Sequence, residues 1–281
     1  MLDGHRLIDV HLHPARLDSL KLPWEAWVQK FDSPLLRSMF DENGVMRPKA
    51  FEDYLAAEGV DLAVVLPEYS PKVTGYQRIE DMLPLLSTRV RTAANVNPHL
   101  HHPIADEVSR QLALGAVALK VHPVHGGFPA NDRALYPAYE ICQSDGVPVV
   151  VHCGTSTFPG ASNQFGDPIL LDDVLRDFPS LSIVLAHGGR GWWYDAAAFL
   201  AVSNQRVWIE LSGLPPSRLK TYYSRHHWTR LVRKMIFGTD WPGIPGIASN
   251  ARAVADLCPD EETIDLVLAG NAARVYRLGA S

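Results

Sequence analysis

Val147-Pro-Val-Val-Val-His152, running on into Cys153-Gly154, is the stretch that decides the fold. Its valines are apolar on both alternating faces, the mark of a strand buried on two sides, as parallel strands covered by helices are. It ends in a histidine and a small-residue turn, so its one polar group stands at the carboxyl end. The same form recurs outward in both directions. Downstream lie Ser182–His187 (SIVLAH), Val207–Ser212 (VWIELS) and Met235–Asp240 (MIFGTD). Upstream lie Ala116–His122 (AVALKVH), Thr92–Asn97 (TAANVN), Asp61–Glu68 (DLAVVLPE) and Leu7–His13 (LIDVHLH).

After a first interval of 55 residues, successive strand ends fall 25 to 35 residues apart, room for one helix and two loops. One-sided apolar patterns with Gly or Pro nearby predict helices over Lys49–Glu58, Gln77–Ser87, Ile104–Leu114, Asp132–Ser144, Ile169–Asp177 and Tyr194–Ser203. Alternating strands and helices require a parallel sheet, because each parallel return needs a crossover. Eight such units close into a (β/α)8 TIM barrel, with an open doubly wound sheet as the alternative. The 281 residues suit one domain spanning 1–281, since a barrel of this kind takes about 250 residues. The long first interval, 14–48, carries Trp24, Trp27, Phe31 and Phe40 among prolines and charges. Loops that follow barrel strands lie on the catalytic face, so this insertion is expected to form a wall or lid over the site; an ornamental loop on the rim is the alternative.

Composition narrows the class. Apolar residues make up 47% and charged residues 20%, which is ordinary for a folded domain. The net charge of -5 and the absence of a basic stripe argue against a nucleic-acid partner. No apolar run reaches the roughly 18 residues that span a bilayer, and the first strand begins by Leu7, which leaves no room for a signal peptide. A cytoplasmic protein is expected. Cys142, Cys153 and Cys258 are odd in number and without CxxC spacing, so they are expected to be reduced thiols.

Metal-ligating residues close several strands at the end where barrel active sites are built. In His11-Leu12-His13, strand alternation puts both imidazoles on one side, where they can share an ion. An HxH pair alone is a weak motif. Its weight comes from His152 and His187, which end the fifth and sixth strands, and Asp240, which ends the eighth in FGTDWP. Four imidazoles and a carboxylate suit zinc first, and also iron or manganese. A divalent ion lowers the pKa of bound water and polarises a carbonyl, which is hydrolytic machinery. Arg190, in GGRGWW, offers a bidentate clamp for a substrate carboxylate or else a surface ion pair. Trp192, Trp193 and Trp241 stand beside these residues and are expected, core packing aside, to supply flat walls for a small organic substrate. His122 lies two residues after Lys120 on the same strand face, as a further ligand, a substrate contact or a plain rim histidine.

The order HxH, His, His, Asp on strands 1, 5, 6 and 8 resembles the amidohydrolase superfamily. IDVHLHP, VHCGTS, LAHGGRGWW, GTDWPG and GNAARVYRL are similar to its second subfamily, which includes aminocarboxymuconate-semialdehyde decarboxylase, resorcylate-type decarboxylases and dicarboxylate lactonases. The likeness runs from Ile8 to Leu278 and is weakest over 14–48. It implies a single ion held by His11, His13, His152 and Asp240, with His187 as acid or base. It also implies an alternative with two ions, in which a carboxylated Lys120 in ALKVHP bridges them and His152 and His187 hold the second; a structural lysine paired with Glu68 or Glu210 is the other reading. Asp240 would take the proton from the metal-bound water and His187 would polarise the scissile bond. The expectation is hydrolysis of an ester, lactone or amide carbonyl. Non-oxidative decarboxylation of an aromatic or muconate-type acid and iron-dependent oxygenation are the alternatives, and a homodimer is expected by the same analogy.

Overall fold

The computed structural model describes residues 1–279 apart from 15, 18–19, 21–24, 27–28, 31 and 245. Eight parallel strands follow one another through one sheet in chain order. They are β1 Ile8–Leu12, β2 Leu62–Val65, β3 Val90–Asn95, β4 Ala116–Val121, β5 Val149–Gly154, β6 Ile183–Arg190, β7 Val207–Glu210 and β8 Met235–Ile236. The chain beyond β8 bonds back to β1: Val10 N–H donates to the Phe237 carbonyl (3.3 Å), Asp240 N–H to that of His11 (2.9 Å) and His13 N–H to that of Trp241 (2.9 Å). The sheet thereby comes round into a TIM-barrel-like fold.

Helices pack outside, among them Pro48–Ala57, Ile104–Ala113, Tyr136–Asp145, Leu171–Asp177, Tyr194–Ser203 and Ile247–Ala255. The helix expected over Gln77–Ser87 is shorter, an α-turn Ile79–Met82 followed by a 3-10 turn Leu83–Leu85. Pro84 lacks the N–H that a continuous α-helix needs there. A hairpin, Tyr69–Ser70 against Gly75–Tyr76, follows β2 and had no signal in the alternation pattern. Within the insertion, Trp24, Trp27 and Phe31 lie outside the described residues. Its described part sends Leu36, Met39 and Met46 into the main core, with Phe40 packed against them. No helix among the described residues is long and apolar enough to cross a membrane.

Alternation sorts the strand residues into two cores. Ala63, Val65, Leu119, Val149, Val151, Ile183, Leu185, Val207 and Ile209 join the helices in an outer core. Ile8, Val10, Leu62, Val64, Ala118, Val150, Val184, Trp208 and Ile236 form an inner one, together with Ala269, Ala272, Val275 and Tyr276 from the C-terminal segment. β1 changes parity part-way. Its register against β2 shifts between Asp9 and Leu12, and Leu12 joins the outer core although Ile8 and Val10 belong to the inner one. This irregularity turns His11 and His13 inward above the apolar floor.

Candidate metal centre

A cavity of about 340 Å³ opens at the carboxyl ends of the strands, lined by His13, Glu68, Lys120, His122, His152 and Asp240 among others. A larger groove, about 640 Å³, lies at the other end of the barrel beside Arg206, Lys234, Arg274 and Arg277. That groove is lined by neither histidine nor carboxylate, so the chemistry belongs to the smaller one.

Three imidazoles are fixed by their Nδ1 atoms. His11 Nδ1 faces Glu210 Oε2 at 2.6 Å, His13 Nδ1 faces the Leu66 carbonyl at 3.0 Å, and His187 Nδ1 faces the Ser212 carbonyl at 2.9 Å. The two carbonyls only accept, and Glu210 accepts in its ionised form, so each Nδ1 then carries the proton and each Nε2 keeps its lone pair. His11 Nε2 and His13 Nε2 then meet at 3.2 Å, with Asp240 Oδ1 3.6 and 3.5 Å from them. Ligand atoms of His11, His187 and Asp240 all lie within 4.8 Å of one another. Lone pairs turned toward each other and toward a carboxylate repel unless a cation lies among them. Carboxylate or carbonyl acceptors behind the far nitrogens are the usual support of metal-bound histidines. The residues present therefore fit a divalent ion.

Burial holds His11, His152 and His187 far below an ordinary imidazole, and electrostatic repulsion from Lys120, from a protonated His187 and from Arg190 in turn would add to it. Neutral imidazole is the ligating form. His152 is buried, with neither ring nitrogen hydrogen-bonded, and its ring centre lies 4.5 Å from that of His187. Burial likewise pushes Glu210 up to about 8, opposed by hydrogen bonds from Ser212. The backbone is strained at two site positions: His187 has φ 64° and Asp240 has φ 69°, left-handed values that side chains with a Cβ rarely adopt. Close approach also dictates Gly213. At φ +64°, a Cβ there would stand 2.5 Å from Arg190 Nη1 and 3.0 Å from Asp240 Oδ2.

The structure brings His11, His13, His187 and Asp240 to one point, with His152 beside His187. Lys120 is buried, its Nζ 3.4 Å from His11 Nε2, and it forms no ion pair with Glu68 or Glu210. Burial pulls its ammonium down toward the neutral amine. Arg190 lines the cavity, with Nη1 3.9 Å from Asp240 Oδ2 and two weak donations to the Thr155 carbonyl. His122 lines it too.

Two expectations need correction. Trp192 is 70% exposed and off the cavity wall, because Gly189, Arg190 and Gly191 carry the chain outward after His187. Trp241 is buried and packs behind β1 against Phe51 and Tyr54, ring centres 5.5 Å away in each case. It is core, and core packing explains its aromatic character. Likewise, no described residue of 14–48 lines the cavity. Sequence reasoning missed Ser212, which bonds both His11 and His187, and His125, whose Nδ1 lies 2.6 Å from Glu68 Oε1 and Nε2 2.7 Å from Ser156 Oγ. The repeated histidine in HPVHGG was the available signal for His125. A lone serine after a strand carries none.

The family model described as amidohydrolase matches residues 8–278. The chain belongs to the amidohydrolase family. Among curated proteins, a dihydroorotase from Leptothrix cholodnii is 29% identical over 140 residues, 44% of this chain and 40% of that protein. The matched stretch is thus less than half of that relative. Among solved structures, an uncharacterised TIM-barrel protein from Bordetella bronchiseptica aligns with a TM-score of 0.73 at 20% identity, covering 97% of this amidohydrolase chain and 98% of its own. A 5-carboxyvanillate decarboxylase from Novosphingobium aromaticivorans, solved with bound manganese, aligns with a TM-score of 0.61 at 14% identity, covering 98% and 97%. At such identities these two speak for the fold.

Proposed function

We propose that this amidohydrolase is a metal-dependent hydrolase that acts on the ester, lactone or amide carbonyl of a small, carboxylate-bearing organic molecule. The observation that carries the reading is the convergence of the Nε2 atoms of His11 and His13 on Asp240. His11, His13, Asp240 and either His152 or His187 would hold the ion. When bound, a divalent ion supplies water acidified toward neutral pH and a Lewis acid for the carbonyl. Asp240, with Oδ1 on the ligand side and Oδ2 on the side of Arg190, would be placed to take up a proton from such a water and return it to a leaving group. Arg190 presents its guanidinium to a substrate carboxylate at the cavity rim. His187, neutral and with its Nδ1 proton held by the Ser212 carbonyl, would keep a lone pair on Nε2 to hold the ion or accept a proton.

A cavity of about 340 Å³ suits a small ring or a short-chain acid. Burial of Lys120 beside His11, which disfavours its ammonium form, supports a carbamate there and with it a second ion. Non-oxidative decarboxylation is the second reading. It is supported by Arg190 facing Asp240 and by the fold shared with the carboxyvanillate decarboxylase, and in it Asp240 or His187, in protonated form, would give its proton to the carbon that remains when carbon dioxide leaves.

The test is a panel of lactones, esters, cyclic amides and aromatic acids incubated with metal-loaded protein, with release of acid, carbon dioxide and consumption of dioxygen followed in parallel. Acid release that disappears on chelation supports the hydrolase. Carbon dioxide release or oxygen uptake in its place transfers the site to one of its rivals, and less than one tightly bound ion per chain refutes the metal-dependent reading altogether.

A further inference from the structure

Glu68, His122 and His125 form a second group on the cavity wall, apart from the one around Asp240. Their ligand atoms lie within 4.8 Å of one another and all three residues are buried. The group is built by two separate elements. Glu68 follows β2, and its Oε1 receives Thr74 Oγ1–H at 2.6 Å from the hairpin turn. His122 caps the short turn Pro123–Gly126 after β4 and His125 lies within it; His125 N–H donates to His122 Nδ1 at 3.1 Å, which leaves the proton of that ring on Nε2, on the Glu68 side and 4.0 Å away.

The three imidazoles nearest the carboxylate are stacked like cards. His122 lies on His125 with ring centres 3.8 Å apart and on His152 with 4.0 Å. His152 is 2% exposed and neither of its nitrogens is hydrogen-bonded, an expensive state for a polar ring in a protein interior. Two accounts compete. A proton relay from Ser156 through His125 to Glu68 uses the contacts of 2.7 and 2.6 Å, but it uses neither nitrogen of His152, of which the first ion can take at most one. A cation can be taken by Glu68, by Nδ1 of His125 and by a free nitrogen of His152, with His122 stacked between the two imidazoles, and the Ser156 hydroxyl then steadies the far nitrogen of His125 as second-layer groups do around metal-bound histidine.

We infer that Glu68 and His125, with His152 at the edge and His122 stacked between the two imidazoles, form a second binding site for a first-row divalent cation such as zinc, manganese or iron. The donor set, one carboxylate and two imidazoles, is the kind such ions take. The inference rests on the metal-dependent reading of the cavity and sharpens it in one respect. The second ion is held by Glu68 and His125 and does not depend on a carbamate at Lys120.

The experiment counts ions. The full-length chain, stripped with chelator and titrated separately with cobalt(II) and manganese(II), is followed by metal analysis after desalting and, for cobalt, by visible absorption. The wild type is expected to take up two equivalents, and Glu68→Gln and His125→Asn one each. In both variants the second equivalent is weakened by more than about 100-fold, while the first stays within a few-fold of wild type, which also shows that the variants are folded. Anomalous scattering from crystals of the cobalt form should place the second peak between Glu68 and His125. A wild type that saturates at one ion, with both variants unchanged, overturns the second site and leaves the hydrolase reading standing. A second ion that survives Glu68→Gln but is lost in Lys120→Met overturns it in favour of a carbamate-bridged pair. No ion at all removes the hydrolase reading as well. Labelling of Ser156 by a fluorophosphonate in metal-free and metal-loaded protein alike would establish the relay and overturn the site.

Discussion

Replacing Glu210 with glutamine puts the metal centre to its most direct test, because the change alters one atom and reverses one hydrogen-bonding role. Three donors converge on the two carboxylate oxygens. Oε1 receives the Ser212 N–H at 2.6 Å, and Oε2 receives the Ser212 hydroxyl at 2.8 Å and faces His11 Nδ1 at 2.6 Å. An amide has a single acceptor oxygen, so in either orientation its NH₂ meets a donor. The backbone N–H of Ser212 cannot turn away, and it keeps the oxygen. His11 Nδ1 then faces NH₂ and gives up its proton, which moves to Nε2, the atom that looks at His13 across 3.2 Å. The imidazole that should ligate becomes a donor. Loss of such an outer partner typically weakens metal binding by about 10- to 100-fold, equivalent to about 1.4–2.8 kcal/mol. Calorimetric titration of stripped protein with zinc in the presence of a competing chelator measures this, and circular dichroism checks the fold. Zinc affinity within about threefold of wild type in folded Glu210→Gln would falsify the claim that Glu210 orients His11.

The same residue sets a pH dependence. Burial raises its carboxyl to about 8, so below that pH a proton on Glu210 competes with the one on His11 Nδ1. Apparent metal affinity should therefore rise with pH through about 8 in the wild type and stay flat there in Glu210→Gln; a flat wild-type profile in calorimetric titrations run across that range contradicts it. Asp240→Asn should cut turnover of any substrate found by at least about 100-fold with the far-ultraviolet spectrum unchanged, and steady-state kinetics showing less than a tenfold loss would take the proton-transfer role from Asp240. Gly238→Ala should lower the melting temperature, because a Cβ there collides with Oε1 of Glu210 and approaches His11 Cβ to 3.0 Å; such overpacking costs about 1–3 kcal/mol, and a calorimetric scan without a shift would show that the seam can give. Burial pushes the Cys142 thiol up to about 12 and the half-buried Cys258 to about 11, and raises Cys153 as well. At pH 8 native protein should react with a disulfide reagent far more slowly than unfolded protein, and three fast thiols in the native state would contradict the burial described here.

How much of this was legible beforehand depended on how local the signal was. The eight strands could be placed because each is a short apolar run with its polar residue at the carboxyl end, and the HxH pair could be placed on one face because alternation is a property of every strand. What decides that this face points inward is the shift of register between Asp9 and Leu12, which leaves no mark in the residues themselves. His152, His187 and Asp240 were found as strand ends. The left-handed backbone at His187 and Asp240 was invisible, since neither residue type announces it. Trp192 and Trp241 misled, because nearness along the chain says nothing about the direction a loop takes once Gly-rich turns intervene. Glu68 was visible only as a partner for Lys120. Its association with His125 depends on a turn after β4 meeting the hairpin after β2, a long-range meeting for which no short motif stands.

The seam between the last strand and the first has a bearing on how the empty and loaded forms of the protein differ in motion. Barrel closure is carried there by few backbone bonds, and two of them, Asp240 N–H to His11 and His13 N–H to Trp241, belong to the very residues that would grip an ion. Occupancy of the centre is therefore coupled to closure of the wall. An ion that binds only the closed form stabilises it in proportion to its concentration over its dissociation constant, so the amide protons of His13 and Asp240 become a built-in gauge. Their exchange with deuterated solvent should slow when metal is added, while amides in the middle of β5, on the far side of the barrel, keep their pace.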